Sequence, residues 1–478
     1  MSRSLYENSL YYMFYRIINV IYPLITATYV SRILQPDGVG QISYVQTIVI
    51  FLAAVACLGT PNYGTREISK CRNRRETSII FSELFIINFI ASGMISIFYY
   101  AYVFCFLRAD NVGRIIYIII GFILLLNIIN VDWFYQGKEE FKYITIRSFV
   151  VKVIAIMLIF ALVHTKTDIY KYACIFTLAY VGNYGFNIIH IHSFVDFIYK
   201  GIDPWRHVKN ILTLAVTYIS NEIYVTVDIV MLGSICGNSM VGYYSNAMKL
   251  VKILVNVCTA MGVALLPRLS RIRYMEKSSE LNNLVQKAGK ILFWFTVPCA
   301  IGILLTAREL MVVLFGYAFE PATYIIMILG WLVVIRSFSN LSLQVLLCFD
   351  KDIITTVVYF AGMILNIILN VVLIPIYQGV GAALASVVSE CVIFAGLYLS
   401  RKKQIKIVAD RKLIMSTVIS NVCMVVFISV AKKIFFQPFS LLVSEVLIGV
   451  ITYIGVGLIT QNEVLAIFIS KFKKMMKI

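Results

Sequence analysis

Apolar residues run along this chain in blocks of about 20, separated by short clusters of Lys, Arg, Asp and Glu, with no sustained two-residue alternation. A helix rises about 1.5 Å per residue, so roughly 20 residues cross a hydrocarbon core of about 30 Å. The blocks therefore predict about 14 membrane-spanning helices. They cover residues 8–31, 39–60, 78–106, 113–135, 143–164, 169–194, 209–233, 240–265, 288–307, 321–346, 353–375, 381–400, 413–431 and 441–462. The connections average about 13 residues, too short for a folded soluble domain. A transmembrane barrel would show shorter, alternating segments. The expected fold class is all-α, polytopic in the membrane.

Composition agrees with that pattern. Of 478 residues, 60% are hydrophobic and 14% charged, against about 45–50% and about 25% in soluble domains. A water-soluble enzyme of this size is excluded, because it could not hide so much apolar surface. The net charge of +18 would suggest nucleic acid in a soluble protein. In a membrane protein it is the expected excess of Lys and Arg in cytoplasmic loops. The basic residues crowd into alternate connections, such as Arg72, Arg74 and Arg75, then Arg268, Arg271 and Arg273, then Arg401, Lys402 and Lys403. That alternation favours both termini in the cytoplasm. The N-terminal apolar stretch is longer than a signal h-region and is interrupted by Arg16, which reads as a retained first span. The 10 cysteines are scattered and read as small buried hydrophobes, and the 4 histidines are too dispersed for a metal centre. No metal or cofactor is expected.

A short internal repeat divides the chain. Val39-Gly40 and Ser43 recur as Val241-Gly242 and Ser245, and Val49 and Leu52 as Val251 and Leu254. Each copy opens the second span of a half, and an even number of spans separates the copies. The halves then share orientation, related by a pseudo-twofold axis along the membrane normal. The expected organisation is a six-helix lobe over 1–194, a cytoplasmic linker over 195–208 and a second six-helix lobe over 209–400. A basic loop, helices 13 and 14 and a cytoplasmic tail fill 401–478.

Five local patterns carry a family resemblance. They are Ser31-Arg32-Ile33-Leu34-Gln35-Pro36-Asp37-Gly38-Val39-Gly40 with Tyr44; Leu58-Gly59-Thr60-Pro61 with Gly64 and Arg66; and Asp132-Trp133-Phe134-Tyr135-Gln136-Gly137 with Glu140. Asp228 with Met231-Leu232-Gly233 and Val241-Gly242-Tyr243-Tyr244, Ala247 and Lys249 form the fourth. Tyr377-Gln378-Gly379 with Gly381-Ala382-Ala383 forms the fifth. Together, across spans one to twelve, the sequence resembles the Wzx-type polysaccharide flippases of the multidrug/oligosaccharidyl-lipid/polysaccharide exporter superfamily. The resemblance implies a bacterial cytoplasmic-membrane flippase. It would move a polyprenyl-diphosphate oligosaccharide to the outer leaflet by alternating access, for O-antigen or capsule, alongside a polysaccharide polymerase and chain-length machinery. It also implies a cavity built from the first two spans of each half.

Ionisable groups at membrane depth usually face protein or a water-filled cavity. Six basic residues fall within spans: Arg16, Arg147, Lys152, Lys249, Lys252 and Arg336. A lipid diphosphate must carry negative charge through a low-dielectric region, and fixed cations lower that cost. Arg16, Lys249, Lys252 and Arg336 are the candidate substrate contacts, Lys249 and Lys252 sharing one helix face. Counting depth brings Asp228 level with Lys249 and Glu222 level with Lys252, so pairing between neighbouring helices stands beside substrate contact. Arg147 and Lys152, placed near the cytoplasmic end of span five, are expected to snorkel. Glu222, Asp228 and Glu390 are candidates for ion coupling, Asp132 and Glu445 are further intramembrane carboxylates, and Pro23 and Pro298 are hinge candidates. His190 and His192 read as interfacial packing. A multidrug exporter of the same superfamily would want acidic residues and leans on Glu222 and Asp228. A membrane glycosyltransferase or polymerase would want catalytic groups in an outer loop, where residues 308–320 offer Arg308, Glu309 and Glu320. The expectation is a transporter, not an enzyme.

Overall fold

The structure, a computed structural model, describes residues 5–108, 111–275, 278–402, 404–405 and 410–476. Among these residues it is helical, without strands. In chain order the helices are α1 (Leu5–Cys57), α2 (Thr60–Lys70), α3 (Arg74–Cys105), α4 (Asn111–Leu126), α5 (Asp132–Gly137), α6 (Phe141–Leu162), α7 (Ile169–Ile191), α8 (Trp205–Cys236), α9 (Asn238–Tyr274), α10 (Ser278–Phe315), α11 (Thr323–Leu329), α12 (Leu332–Cys348), α13 (Asp352–Lys402), α14 (Arg411–Ile434), α15 (Pro438–Ile459) and α16 (Glu463–Met476). Ten helical runs among the described residues are long and apolar enough to cross a membrane.

Two helices hold two expected spans each. The 48 residues of Leu10–Cys57 and the 51 of α13 extend about 70 Å or more, twice what a bilayer core requires. Each is broken once. In α1 the break is Gln35, at φ 61° and ψ 176°. The next residue is Pro36, whose ring excludes its predecessor from the α region. In α13 it is Gln378, at φ 51° and ψ −126°. Both breaks fall inside turns expected from sequence. Helices α2 and α16 lie outside the expected spans, and the expected span 113–135 ends early at Leu126, with α5 a separate short helix beyond it. The tail after 462 is a helix, with Val464 and Leu465 buried and Phe468 stacked on Trp294 at 5.8 Å.

The chain divides into two compact units, Met1–Gly242 and Tyr243–Ile478. In the first, α1 and α6 run parallel and in register. Thr145 donates to the Tyr11 carbonyl (2.9 Å), Lys152 to Asn19, and Tyr29 to the Val163 carbonyl (2.9 Å). The sequence offset between partners stays at 133–135 over that length. Helices α3 and α4 are antiparallel, tied by Asn88 to the Asn127 carbonyl (2.9 Å) and Tyr99 to the Tyr117 carbonyl (2.9 Å). The segment between α7 and α8 lies along one row of α3. The Asp196 amide donates to Ser78 and the Ile198 amide to Ser82 (3.0 Å each), and the Asp203 amide donates to Glu83 (2.9 Å).

The family-like motifs are packing devices. A Cβ on Gly40 would lie 1.7 Å from the Asn238 carbonyl oxygen, and one on Gly242 would lie 2.1 Å from the Pro36 oxygen. The two repeat glycines therefore let the α1 break and the start of α9 touch backbone to backbone. Gly64 likewise leaves room for Trp133, whose ring would be 2.5 Å from an added Cβ, and Thr65 donates to the Trp133 carbonyl (3.1 Å). Tyr44 lies against Gly233.

In the second unit, α14 and α15 form a hairpin packed on α10. Tyr453 donates to the Trp294 carbonyl (2.7 Å), and Lys290 bridges Asp410 (2.5 Å) and Glu463 (2.7 Å). Asp410 precedes α14 and caps it, accepting from the Leu413 amide. Lys290 beside it, with that amide, holds its carboxyl below the usual range.

Candidate functional site

The charged groups in the membrane helices fall into two kinds. The first kind is neutralised by a neighbouring helix. Arg336 of α12 pairs with Glu390 of α13 at 3.1 Å, and Glu390 is buried. A candidate substrate cation and a candidate coupling carboxylate are thus joined to each other. Arg147 is buried on α6, donating to Asn187 and, at 3.1 Å, to Asp132, which also accepts from the Asn187 amide at 2.6 Å. Snorkelling of Arg147 is corrected by this contact. Its counter-ion comes from α5 and its amide from α7, so the guanidinium gains more inside the unit than at the interface.

The second kind is held by neutral dipoles. Arg16 is exposed on α1 and donates to the Tyr12 hydroxyl at 2.9 Å, its guanidinium 5.0 Å from that ring. Lys152 donates to the Asn19 side chain and lies 6.0 and 5.7 Å from the rings of Tyr15 and Tyr22. Snorkelling of Lys152 is corrected too. The residue sits at mid-helix, about 15 Å from either end of α6, further than a lysine side chain reaches. Among the described residues no carboxylate forms an ion pair with Arg16 or Lys152. In the second unit Lys249 donates to the buried Asn246 at 3.1 Å. Lys252, one turn further along α9, is half-buried and is assigned to neither kind.

Asp228 is buried and Glu222 half-buried on α8, in the first unit. Pro23 lies on an exposed position of α1. Pro298 lines an apolar cavity of about 420 Å³ in the second unit, with Trp294, Phe295, Gly302, Glu445 and Tyr453. His190 stacks on Tyr143, ring centroids 4.4 Å apart, consistent with packing.

Two charge clusters escaped the sequence. Buried Glu83 on α3 accepts from Arg206 (2.5 Å) and faces His207 Nε2 (2.8 Å), whose Nδ1 lies 2.8 Å from the Tyr63 hydroxyl. In the second unit Lys432 stands between Glu445 (3.3 Å) and Glu309 (3.6 Å), both buried. Glu83 lies 123 residues from Arg206 and Glu309 lies 123 from Lys432, whereas Glu445 follows Lys432 by 13. The only available signal was a lone Glu in an apolar run.

A chain whose described residues are helical, with ten runs long and apolar enough to cross a membrane and charged side chains within those runs, is a multi-pass membrane protein of transporter type. Residues 5–273 match the family model described as "Polysaccharide biosynthesis protein", and the chain belongs to that family. It is 25% identical over 408 residues to the "Putative O-antigen transporter" of Escherichia coli (strain K12), covering 82% of this chain and 95% of that relative. Its fold is similar to that of a solved lipid II flippase MurJ in an inward closed conformation, with TM-score 0.78, 15% identity, and 96% and 99% of the two chains covered. A multidrug resistance MATE family transporter in an inward-facing conformation is also similar, with TM-score 0.64, 14% identity, and 80% and 94% covered.

Proposed function

We propose that this protein is a flippase. It moves polyprenyl-diphosphate-linked oligosaccharide repeat units from the cytoplasmic to the outer leaflet by alternating access, for surface polysaccharide such as O-antigen or capsule. It works in the bacterial cytoplasmic membrane with both termini inside, makes and breaks no covalent bond, and hands its product to a polymerase and chain-length machinery. Family membership and the name of the E. coli relative support this reading.

The observation that carries it is the way Arg16 and Lys249 are held. A cation at membrane depth is costly, and a carboxylate partner is the usual remedy. Here a phenol and an amide serve instead, so the positive charge stays available to a diphosphate entering from the lipid. The multidrug alternative needs carboxylates for cationic drugs. It leans on Glu222 and Asp228, since Glu390 and Asp132 are each occupied by an arginine. In cells lacking the native gene, Arg16→Ala or the double variant Lys249→Ala/Lys252→Ala is expected to abolish surface polysaccharide at normal membrane protein levels. Full export by those variants would contradict the reading.

A further inference from the structure

The parallel register of α1 and α6 brings Lys152 to a place that no depth count reveals. It faces Asn19, one helical turn from Arg16 and on the same side of α1. Tyr15 and Tyr22, flanking Asn19 by one turn each way, set their rings on either side of the ammonium. Five residues earlier on α6, Arg147 is buried and satisfied by Asp132 and Asn187. Lys152 differs from it in two respects. It is only half-buried, and its partners are an amide and two aromatic faces.

An ammonium among neutral dipoles at mid-membrane is a stability cost that the fold itself does not offset. Such arrangements persist where a ligand supplies the missing charge. Arg16 and Lys152 lie about 5 Å apart along the α1 axis, judged from the helical rise between Arg16 and Asn19. Two cations at that spacing suit an anion with two charged centres, one held by a planar fork and the other by a point charge.

We propose that Lys152, held on Asn19 between Tyr15 and Tyr22, forms with Arg16 the diphosphate-binding position of the first unit. This rests on the flippase reading and adds to it a residue that sequence reasoning had assigned to the membrane surface. The tyrosine faces keep the ammonium in place while leaving its charge unneutralised. The Arg147–Asp132–Asn187 network is the rigid support behind it.

The test uses the full chain in lipid nanodiscs, with undecaprenyl diphosphate lacking any sugar as probe and undecaprenyl monophosphate beside it. The wild type is expected to bind the diphosphate more tightly than the monophosphate. Lys152→Met and Lys152→Gln should both weaken diphosphate binding at least about tenfold, the loss of one charge-assisted contact. Lys152→Arg should retain most of it. Because the wild-type ammonium is uncompensated, Lys152→Met should also melt at the same temperature as the wild type or higher. Unchanged affinity in Lys152→Met and Lys152→Gln would overturn the assignment while leaving the flippase reading intact. So would a lowered melting temperature with unchanged affinity, which marks a structural cross-link. A wild type that binds neither lipid would remove the substrate reading and this proposal with it.

Discussion

Arg336 and Arg147 show what a single intramembrane charge conceals. Each stands out in an apolar run, but its role depends on residues brought from elsewhere: Glu390 lies 54 positions from Arg336, and Asp132 reaches Arg147 through a short helix. Removing one partner of such a pair strands the other. Arg336→Met is expected to destabilise the protein by about 3–5 kcal/mol, and Arg336→Met/Glu390→Met to recover most of that loss, read as thermal midpoints in detergent. A double variant no better than the single would show that the loss does not come from a stranded Glu390. The presence of these charges was legible in the sequence. Their pairing was not, because depth along a span fixes the height of a group and not its azimuth. Lys152 is the clearest instance: a count from a span end placed it near the interface, and the register with α1 places it against Asn19.

Element boundaries were read well where backbone chemistry dictates them. The break at Gln35 precedes a proline and the break at Gln378 precedes a glycine, and both were expected as turns. Short helices such as α2 and α16 were missed because their polar faces look like loop when apolar blocks are the only signal. The glycine motifs were visible, but their purpose appears only when α1 meets α9. Gly40→Ala or Gly242→Ala should abolish folded protein in the membrane, since a methyl group cannot fit 1.7 or 2.1 Å from a backbone oxygen. Normal levels of either variant would refute the close approach. At the start of α14, the depressed carboxyl of Asp410 contributes stability that is present above the ordinary carboxylate pKa and lost as pH falls through its lower folded value. The melting advantage of wild type over Asp410→Asn should therefore shrink on going from neutral pH to below about 4. A constant difference would exclude the Lys290 contact as its source.

At the scale of the molecule, the helical membrane class followed from composition and block length alone, because hydrocarbon leaves the backbone few alternatives. The orientation with both termini in the cytoplasm is a proposal from loop charge. The parallel running of α1 and α6 fits an even number of crossings between their starts and is the same for either orientation. Cysteine accessibility at residues 139 and 166, assayed in intact cells, is expected to show 139 inside and 166 outside. The reverse labelling would invert the topology. On the proposed function, transport is one electrostatic task, carrying a diphosphate past hydrocarbon with the help of fixed cations. Reconstituting the purified protein in liposomes with a lipid-linked oligosaccharide measures that task directly, with and without proton or sodium gradients. Wild type should move the lipid between leaflets far faster than empty liposomes, and Arg16→Ala or Lys249→Ala/Lys252→Ala should slow it at least about tenfold. Flipping by these variants at the wild-type rate would contradict the account.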